Sequence, residues 1–173
     1  RNSMKRSTLL RGTAVTGGGG VQIGSDAALG ATGSVLTLSD GAIQATASFT
    51  STRAITLGAG GGIVDTNNLD LSLMGAIGGG GSLTKSGNGT LFLGGANIYG
   101  GGTTVLGGVL LGTTTSLQGN IVNDATVGFS QSTDGVYAGN ISGSGKLIKT
   151  GAGTVTLTGT NTYAGGTTVS GEI

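Results

Sequence analysis

The acidic side chains are the residues with which this chain could do chemistry, because the sequence contains no histidine and no cysteine. Their absence excludes the Ser-His-Asp and Cys-His catalytic arrangements and the commonest zinc ligands. Glycoside hydrolysis would still be open, since it needs two carboxylates a few ångströms apart. The aspartates that could supply such a pair are irregularly spaced, at Asp40, Asp65, Asp70, Asp124 and Asp134.

Two glycine-containing segments partly match ligand-binding motifs, and both matches fail. Residues 61–65 (GGIVD) are similar to a calcium-binding nonapeptide, but they lack its middle glycine and its tandem repetition. Gly145-Lys146 is similar to part of a phosphate loop, but Leu147 stands where Ser or Thr must reach the metal. The sequence therefore predicts no catalytic, cofactor-binding or metal-binding residue.

Charge and hydropathy exclude two further classes of partner. Eight basic and seven acidic residues leave a net charge of +1, which gives no electrostatic reason to bind nucleic acid. No run approaches the roughly 20 apolar residues of a membrane-spanning helix, so we expect no direct membrane insertion. Residues 1–11 are interpreted as an N-terminal tail or a cloning remnant, since four of the basic residues crowd there: Arg1, Lys5, Arg6 and Arg11. Only Leu9 and Leu10 follow Met4-Lys5-Arg6, too few for a signal peptide.

A long internal repeat organises the rest of the sequence. Residues 75–109 recur as residues 139–173 with 19 identities in 35 positions, at an offset of 64 (149 − 85 for the repeated lysines). Between Leu83 and Leu147, the strand-like positions Val105 and Val127 divide this offset into three nearly equal steps. A repeat of this kind is typical of a solenoid, in which each unit buries its apolar face against its neighbours. We interpret one repeat as three coils, each of roughly 21 residues.

Short alternating segments and glycine-rich turns predict an all-β fold. The period-two pattern is clear in segments such as 34–38 and 154–158, and Asn-Gly or Asp-Gly pairs separate them. No segment supports a helix, because Gly24 and Gly30 bracket Ala27–Leu29 too closely. The prediction is a parallel β-helix of about eight coils. The aspartates do not fall at one-coil separations, so this fold is not expected to bring two of them together as a catalytic pair. An antiparallel sandwich is the alternative, but it gives no reason for such a long repeat. We expect the inward positions to be Leu83, Leu91, Leu93, Val105, Val109, Leu147, Val155, Leu157 and Val169.

Residues 81–105 (GSLTKSGNGTLFLGGANIYGGGTTV) and 145–169 resemble the autotransporter-associated β-strand repeat, also called the passenger-associated transport repeat. The resemblance implies that residues 12–173 are a right-handed β-helical segment of a Gram-negative autotransporter passenger, with full repeats near 75–109 and 139–173. It also implies a cell-surface or secreted location. The implied partners are adjacent coils and a C-terminal outer-membrane translocator barrel that lies outside this chain.

Several polar residues and glycines recur at matching points of the two repeats, and they are the candidate structural motif. The asparagine and tyrosine could form a surface for a partner, or the asparagine could occupy a left-handed corner while the tyrosine covers an apolar edge. The lysine is expected to protect a strand edge from pairing. The motif consists of Lys85, Gly87, Gly89, Asn97, Tyr99, Gly101, Thr103, Lys149, Gly151, Gly153, Asn161, Tyr163, Gly165 and Thr167.

The sequence thus favours a structural stem that helps the passenger cross the outer membrane by folding outside it. The alternative function is an adhesin that binds a ligand on a host-cell surface or matrix. An adhesive site would need an exposed aromatic or charged cluster, and the segment from Phe129 to Tyr137 (FSQSTDGVY) comes nearest to one. An enzyme acting on polysaccharide is the third hypothesis, and we expect no enzymatic activity.

Overall fold

Alternation of apolar and small polar residues produces the strands of this protein. In the segment Leu36–Ser39, both leucines are buried while Thr37 and Ser39 remain partly exposed, since successive side chains of a strand point to opposite sides. A computed structural model describes residues 12–171. Its strands are β1 (Thr13–Thr16), β2 (Gly20–Ile23), β3 (Leu36–Ser39), β4 (Gly41–Ala45), β5 (Phe49–Ser51), β6 (Ile55–Leu57), β7 (Gly62–Asp65), β8 (Leu71–Leu73), β9 (Ile77–Gly79), β10 (Leu83–Ser86), β11 (Thr90–Leu93), β12 (Thr103–Val105), β13 (Val109–Gly112), β14 (Ile121–Asn123), β15 (Thr126–Ser130), β16 (Gly135–Tyr137), β17 (Ile141–Ser142), β18 (Lys146–Thr150), β19 (Val155–Leu157) and β20 (Thr167–Ser170).

These strands form a parallel β-solenoid with three faces and about eight coils, which confirms the predicted fold. The first face contains the sheet β1-β3-β6-β9, and β16-β19 takes the same place in the order of later coils. The second face is the sheet β17-β14-β12-β10-β7-β4-β2, and the third is β20-β18-β15-β13-β11-β8-β5. Each strand pairs in parallel with the strand one coil away. The right-handed sense of the path stays a prediction.

Coil length varies modestly along the second face. At the N-terminal end, Gln22 is the register partner of Gln44, a sequence separation of 22. Near the middle of the face, Thr104 pairs with Val122, a separation of only 122 − 104 = 18. The predicted coil length is therefore close to the observed spacing.

Within residues 12–171, no helix is long and apolar enough to cross a membrane.

The interpretation of the long repeat as a whole number of coils is wrong. Leu83 lies in β10 on the second face, and three coils along that face lead through Thr103 and Ile121 to Ile141. Leu147, which matches Leu83 in the repeat, lies instead in β18 on the third face, where it pairs with Val127. One repeat therefore advances three coils and one additional face. Variation in coil length hides this difference from a count of residues.

The core consists of inward side chains from all three faces, and most of the predicted inward positions are buried. Val109 is an exception: it is only partly buried, and Leu110 beside it is fully buried. In the run Val109-Leu110-Leu111, either Leu110 or its two neighbours could face inward by the alternating pattern. This ambiguity explains why Val109 was wrongly predicted to face inward. Val155 and Leu157 are partly buried and Val169 is 72% exposed, because they lie in the last coils that the structure describes.

A single turn of 3-10 helix (Asp26–Leu29) was not expected from the sequence. It contacts β2 and β5, and Leu29 is buried. The buried guanidinium of Arg53 holds this turn through Asp26, with Nε and Oδ1 3.1 Å apart, and donates to the carbonyls of Ala31 at 3.1 Å and Ser34 at 2.9 Å. Hydrogen bonds from Arg53, which is distant in the sequence, thus stabilise a turn that is too short to be stable by itself.

The interpretations of residues 1–11, including the basic tail, lie outside the described residues, as do Glu172 and Ile173. The solenoid is continuous through residues 12–171.

The burial of the two repeated leucines predicts unequal effects on stability. Leu93 is 0% exposed, so Leu93→Ala should lower the free energy of unfolding by about 2–5 kcal/mol. Leu157 matches it in the repeat but is only partly buried, so Leu157→Ala should cost clearly less. Urea denaturation followed by circular dichroism measures both. The exposed Thr156→Ala is the control, and a loss there as large as at Leu93 would contradict the register.

Candidate functional site in the solenoid core

Lys85 lies in the core, although we expected it to protect a strand edge. Its side chain is 0% exposed, and it occupies the inward column of the second face between Val64 and Val105. Its ammonium donates to three backbone carbonyls, those of Ser86 at 2.9 Å, Gly87 at 2.7 Å and Gly107 at 3.0 Å. Gly107 belongs to the following coil. Lys85 therefore joins two coils at the corner between the second and third faces.

Burial lowers the pKa of Lys85 to about 8, and the charge of Asp65 opposes this shift. A buried ammonium is costly unless its donors are satisfied, which the three carbonyls achieve. Lys149 repeats the arrangement on the third face, where it donates to Thr150 O at 3.0 Å and Gly151 O at 2.7 Å.

Asn97 takes over the hydrogen bonds of a missing strand on the first face. It is 2% exposed, accepts a hydrogen bond from the amide of Ile77 at 2.8 Å and donates to the carbonyl of Ser116 at 2.7 Å. These two residues lie in the preceding and following coils. Ile98 N also donates to Ile77 O at 2.9 Å. Asn97 thus links three successive coils at a level where no strand forms.

Asn161 repeats this contact one repeat later. It accepts from the amide of Ile141 at 2.9 Å, and the amide of Thr162 donates to Ile141 O at 2.8 Å. Neither asparagine has a positive φ, so the expectation of a left-handed corner is wrong. The buried position of Asn97 also contradicts the expected surface for a partner.

The tyrosine and threonine of the motif form a hydrogen-bonded pair in each repeat. The hydroxyl of Tyr99 lies 2.7 Å from Thr103 Oγ1, and both residues are buried. Burial raises the pKa of Tyr99. In the second repeat, Tyr163 Oη lies 2.5 Å from Thr167 Oγ1, although Thr167 is exposed. The first pair closes the loop between β11 and β12, and the second closes the loop between β19 and β20.

The motif glycines are required by backbone conformation and by close coil contacts. Gly87 and Gly151 have φ of 77° and 84°, a region that residues with a side chain rarely adopt. A Cβ at Gly89 would lie 1.8 Å from Leu69 O, and one at Gly153 would lie 2.1 Å from Thr133 O. Both atoms belong to the preceding coil. Gly101 and its repeat partner Gly165 are similarly crowded by the preceding coil.

Aspartates connect coils to one another through hydrogen bonds to backbone amides. Three of them each accept a hydrogen bond from a backbone amide one coil later: Asp70 from Thr90 at 3.1 Å, Asp124 from Ser144 at 3.1 Å and Asp134 from Thr154 at 2.7 Å. Each partner lies one coil, a separation of 20, further along the chain. Three of the carboxylates considered for catalysis thus satisfy backbone donors.

Asp65 has a similar role at the turn that follows the failed calcium motif. Its carboxylate accepts from Gln44 Nε2 at 2.7 Å and from the amide of Asn67 at 2.8 Å. Within residues 12–171, no three acidic side chains group closely enough to hold a metal ion. Lys146, considered as part of a phosphate loop, is an exposed strand residue of β18.

The segment from Phe129 to Tyr137 is not the exposed aromatic cluster that an adhesive site was expected to show. Phe129 and Tyr137 are 1% and 3% exposed, with ring centroids 5.1 Å apart, so they pack in the core. The Tyr137 hydroxyl donates to Gly119 O at 2.5 Å, and burial raises its pKa. The exposed part of the segment is Ser132–Asp134 together with Val136.

Two buried amides of this core were missed by the sequence analysis. Asn123 is 0% exposed and bonds to Lys146 O at 3.0 Å and the amide of Ala125 at 3.1 Å. Gln131 accepts from Thr114 N and donates to Thr133 O, both at 2.8 Å. Both lie between the two copies of the repeat, so the repeat contained no signal for them. Asn123 does fall at an inward position of the period-two pattern after Ile121.

The parallel coils and the buried polar residues that join them define a β-solenoid, and comparison with known proteins shows its family. The family model described as the passenger-associated-transport-repeat matches residues 83–111 and 147–171. The chain is 45% identical over 142 residues to the "Adhesin BmaC autotransporter" of Brucella suis biovar 1 (strain 1330), an alignment that covers 80% of this chain and 4% of that protein. No solved structure matches significantly. The chain is a segment of an autotransporter passenger and contains passenger-associated-transport repeats.

Replacing the buried ammonium should destabilise the solenoid in a way that depends on pH. Lys85→Met leaves three carbonyls without their donor, so the free energy of unfolding at pH 7 should fall by about 1–3 kcal/mol. Between about pH 8 and 10.4, the unfolded state binds the lysine proton more tightly than the folded state, so the wild type should gain stability as pH rises. The variant lacks this gain. Denaturation at pH 7 and pH 10 measures the difference.

The control is Lys146→Met, which removes an exposed lysine from the same protein and should change stability by less than about 0.5 kcal/mol. A pH dependence in Lys85→Met identical to that of Lys146→Met would show that Lys85 is not buried.

Adding a methyl group at the turn glycine should also be destabilising. Gly87→Ala forces a positive φ on alanine and places Cβ 2.4 Å from the amide nitrogen of Asn67, so the loss should exceed the ~1 kcal/mol of a strain-free replacement. Gly80→Ala is the matched control, because a Cβ there meets nothing within 4 Å. Thermal unfolding that shifts equally for both variants would contradict the described turn.

Proposed function

We propose that this segment is a structural stem of the passenger, which supports secretion by folding outside the outer membrane. The observation that supports it is that the recurrent polar residues of the repeat bond to backbone groups of neighbouring coils. Lys85 and Asn97 have no exposed surface with which to contact a ligand. A motif whose side chains face inward is suited to holding coils together.

A stem of this kind would fold by addition of one coil to the next. Each coil contacts only its neighbours, so stability is a sum of coil and interface contributions, and folding propagates from one nucleus. Asn97 and the coil-spanning aspartates become bonded only when the neighbouring coil is in place. Free energy is therefore released stepwise as the chain emerges, and this release favours movement outward.

The matched part of the chain spans about 4% of the length of its relative. The proposal therefore extends to a whole protein that is much longer than this chain. We infer a location at the cell surface and a C-terminal translocator barrel in the same protein, as the autotransporter relationship implies. We also infer that the segment is not an enzyme. Supporting this, Asp70, Asp124 and Asp134 each accept a backbone hydrogen bond.

Adhesion is the second candidate function, because the matched relative is named an adhesin. Its support in this chain is the exposed loop Ser132–Asp134 with Val136, which is 60% exposed. A ligand on a host-cell surface or matrix would then contact this loop and not the buried motif.

Display on a Gram-negative cell tests the stem directly. The chain is placed between a signal peptide and an autotransporter barrel, and surface exposure is measured by protease accessibility. Leu93→Ala should reduce the displayed fraction severalfold, because a coil that folds less stably releases less free energy outside. Lys146→Met should display like the wild type. Normal display of a Leu93→Ala variant that is unfolded in solution would disprove the role of folding in export.

The same displayed cells separate the second function. The stem predicts no more binding to immobilised matrix proteins or cultured cells than a barrel without passenger gives. Binding that is lost on Val136→Ser, with display unchanged, would instead establish adhesion.

A further inference from the structure

The exterior of the third face carries an apolar stripe. Phe92, Leu111 and Ile148 occupy one outward column of β11, β13 and β18, and all three are partly exposed. Met74, 43% exposed, adjoins this column, since a Cβ at Gly94 would lie 2.6 Å from Met74 Sδ and 3.1 Å from Phe92 Cε1. The stripe therefore crosses five successive coils.

Gly128 in β15 is the lowest point of the stripe. A Cβ at this position would lie 2.3 Å from Leu111 Cδ2 and 2.8 Å from Ile148 Cγ1, so these two side chains close over the glycine. The apolar surface is continuous there, and no side chain of residue 128 rises from it. The ring of Phe92 lies two coils away in the same column.

Two charges of opposite sign lie beside the stripe, one near each end. Asp70 and Lys146 are both exposed and belong to one outward column, with Thr90, Val109 and Thr126 between them. Four coil spacings of 4.7–4.9 Å place the two charges about 19 Å apart. The apolar stripe and the charges together form a patch with a positive end and a negative end.

We propose that the third face is a homotypic interface, on which a second copy of this chain packs. The solenoid axes of the two copies run antiparallel. A two-fold axis parallel to the strands, at the level of Val109 and Leu111, superposes the patch on itself. It brings Asp70 opposite Lys146 of the second copy, twice, and places each Phe92 ring over the low point at Gly128. Such an isologous contact uses the same surface on both copies.

The size of the patch sets the strength of the association. Seven strands at the sheet spacing give a face about 30 Å long, and five strand residues make it about 16 Å wide. The buried area per copy is therefore about half of the ~800 Å² of a standard interface. We therefore expect a weak dimer that forms at tens to hundreds of micromolar protein, roughly the range of small, transient interfaces.

Charge reversal tests this interface with the chain as it stands. Sedimentation equilibrium of the wild type should show concentration-dependent mass that tends to twice the monomer mass. Lys146→Asp turns two attractive pairs into repulsive ones and should raise the dissociation constant about tenfold. Asp70→Lys should do the same. The double variant Asp70→Lys, Lys146→Asp restores both pairs and should return the constant to within about threefold of the wild-type value.

The apolar part of the interface has a matched control. Phe92→Ser should raise the dissociation constant about tenfold or more, whereas Ile63→Ser, on the exterior of the second face and with Ile63 41% exposed, should leave it unchanged. Circular dichroism confirms that each variant is folded.

Three results would overturn the proposal. The first is a wild type that stays monomeric at millimolar concentration. The second is association that charge reversal does not weaken, a result that indicates stacking of solenoid ends. The third is a double variant that associates no better than the single variants.

Discussion

The need to satisfy backbone hydrogen bonds between coils determines most of this structure. Each face contributes only two to five strand residues per coil, and unpaired buried amides or carbonyls are costly. At several points where the strands stop, side chains therefore bond the backbone. Asn97 supplies an acceptor and a donor at the level where the first face has no strand, and Lys85 supplies donors at a corner.

This constraint explains why the repeat need not match a whole number of coils. Its recurrent residues bond across a corner and the gap after it, and they do so at two of the three corners. Lys85 accordingly faces inward from the second face and Lys149 from the third. A longer array of such repeats would place the motif on each face in turn, so that the bonds between coils are distributed around the axis.

The sequence was sufficient for the strands, the parallel solenoid and the coil length, because alternation and periodicity depend on local spacing. Gly87 and Gly151, which recur in the repeat, hold turns with positive φ. The buried lysine was missed because burying an ammonium is normally unfavourable, and the carbonyl of Gly107 that makes it favourable comes from the next coil. The alternation Leu83-Thr84-Lys85 contained the signal, since it places Lys85 inward. The phase of Val109-Leu110-Leu111 contained no comparable signal.

Side chains replace strand pairing at some levels between coils, and the exchange rate of the Ile77 amide reports on one such level. The N–H of Ile77 donates to the side chain of Asn97, whereas the N–H of Ile55, one coil earlier in the same inward column, donates to the carbonyl of Ala76. Hydrogen exchange followed by NMR compares the two in the native protein. The account predicts that Ile77 exchanges as slowly as Ile55, within about tenfold. Exchange of Ile77 at the rate of an exposed loop amide would contradict it.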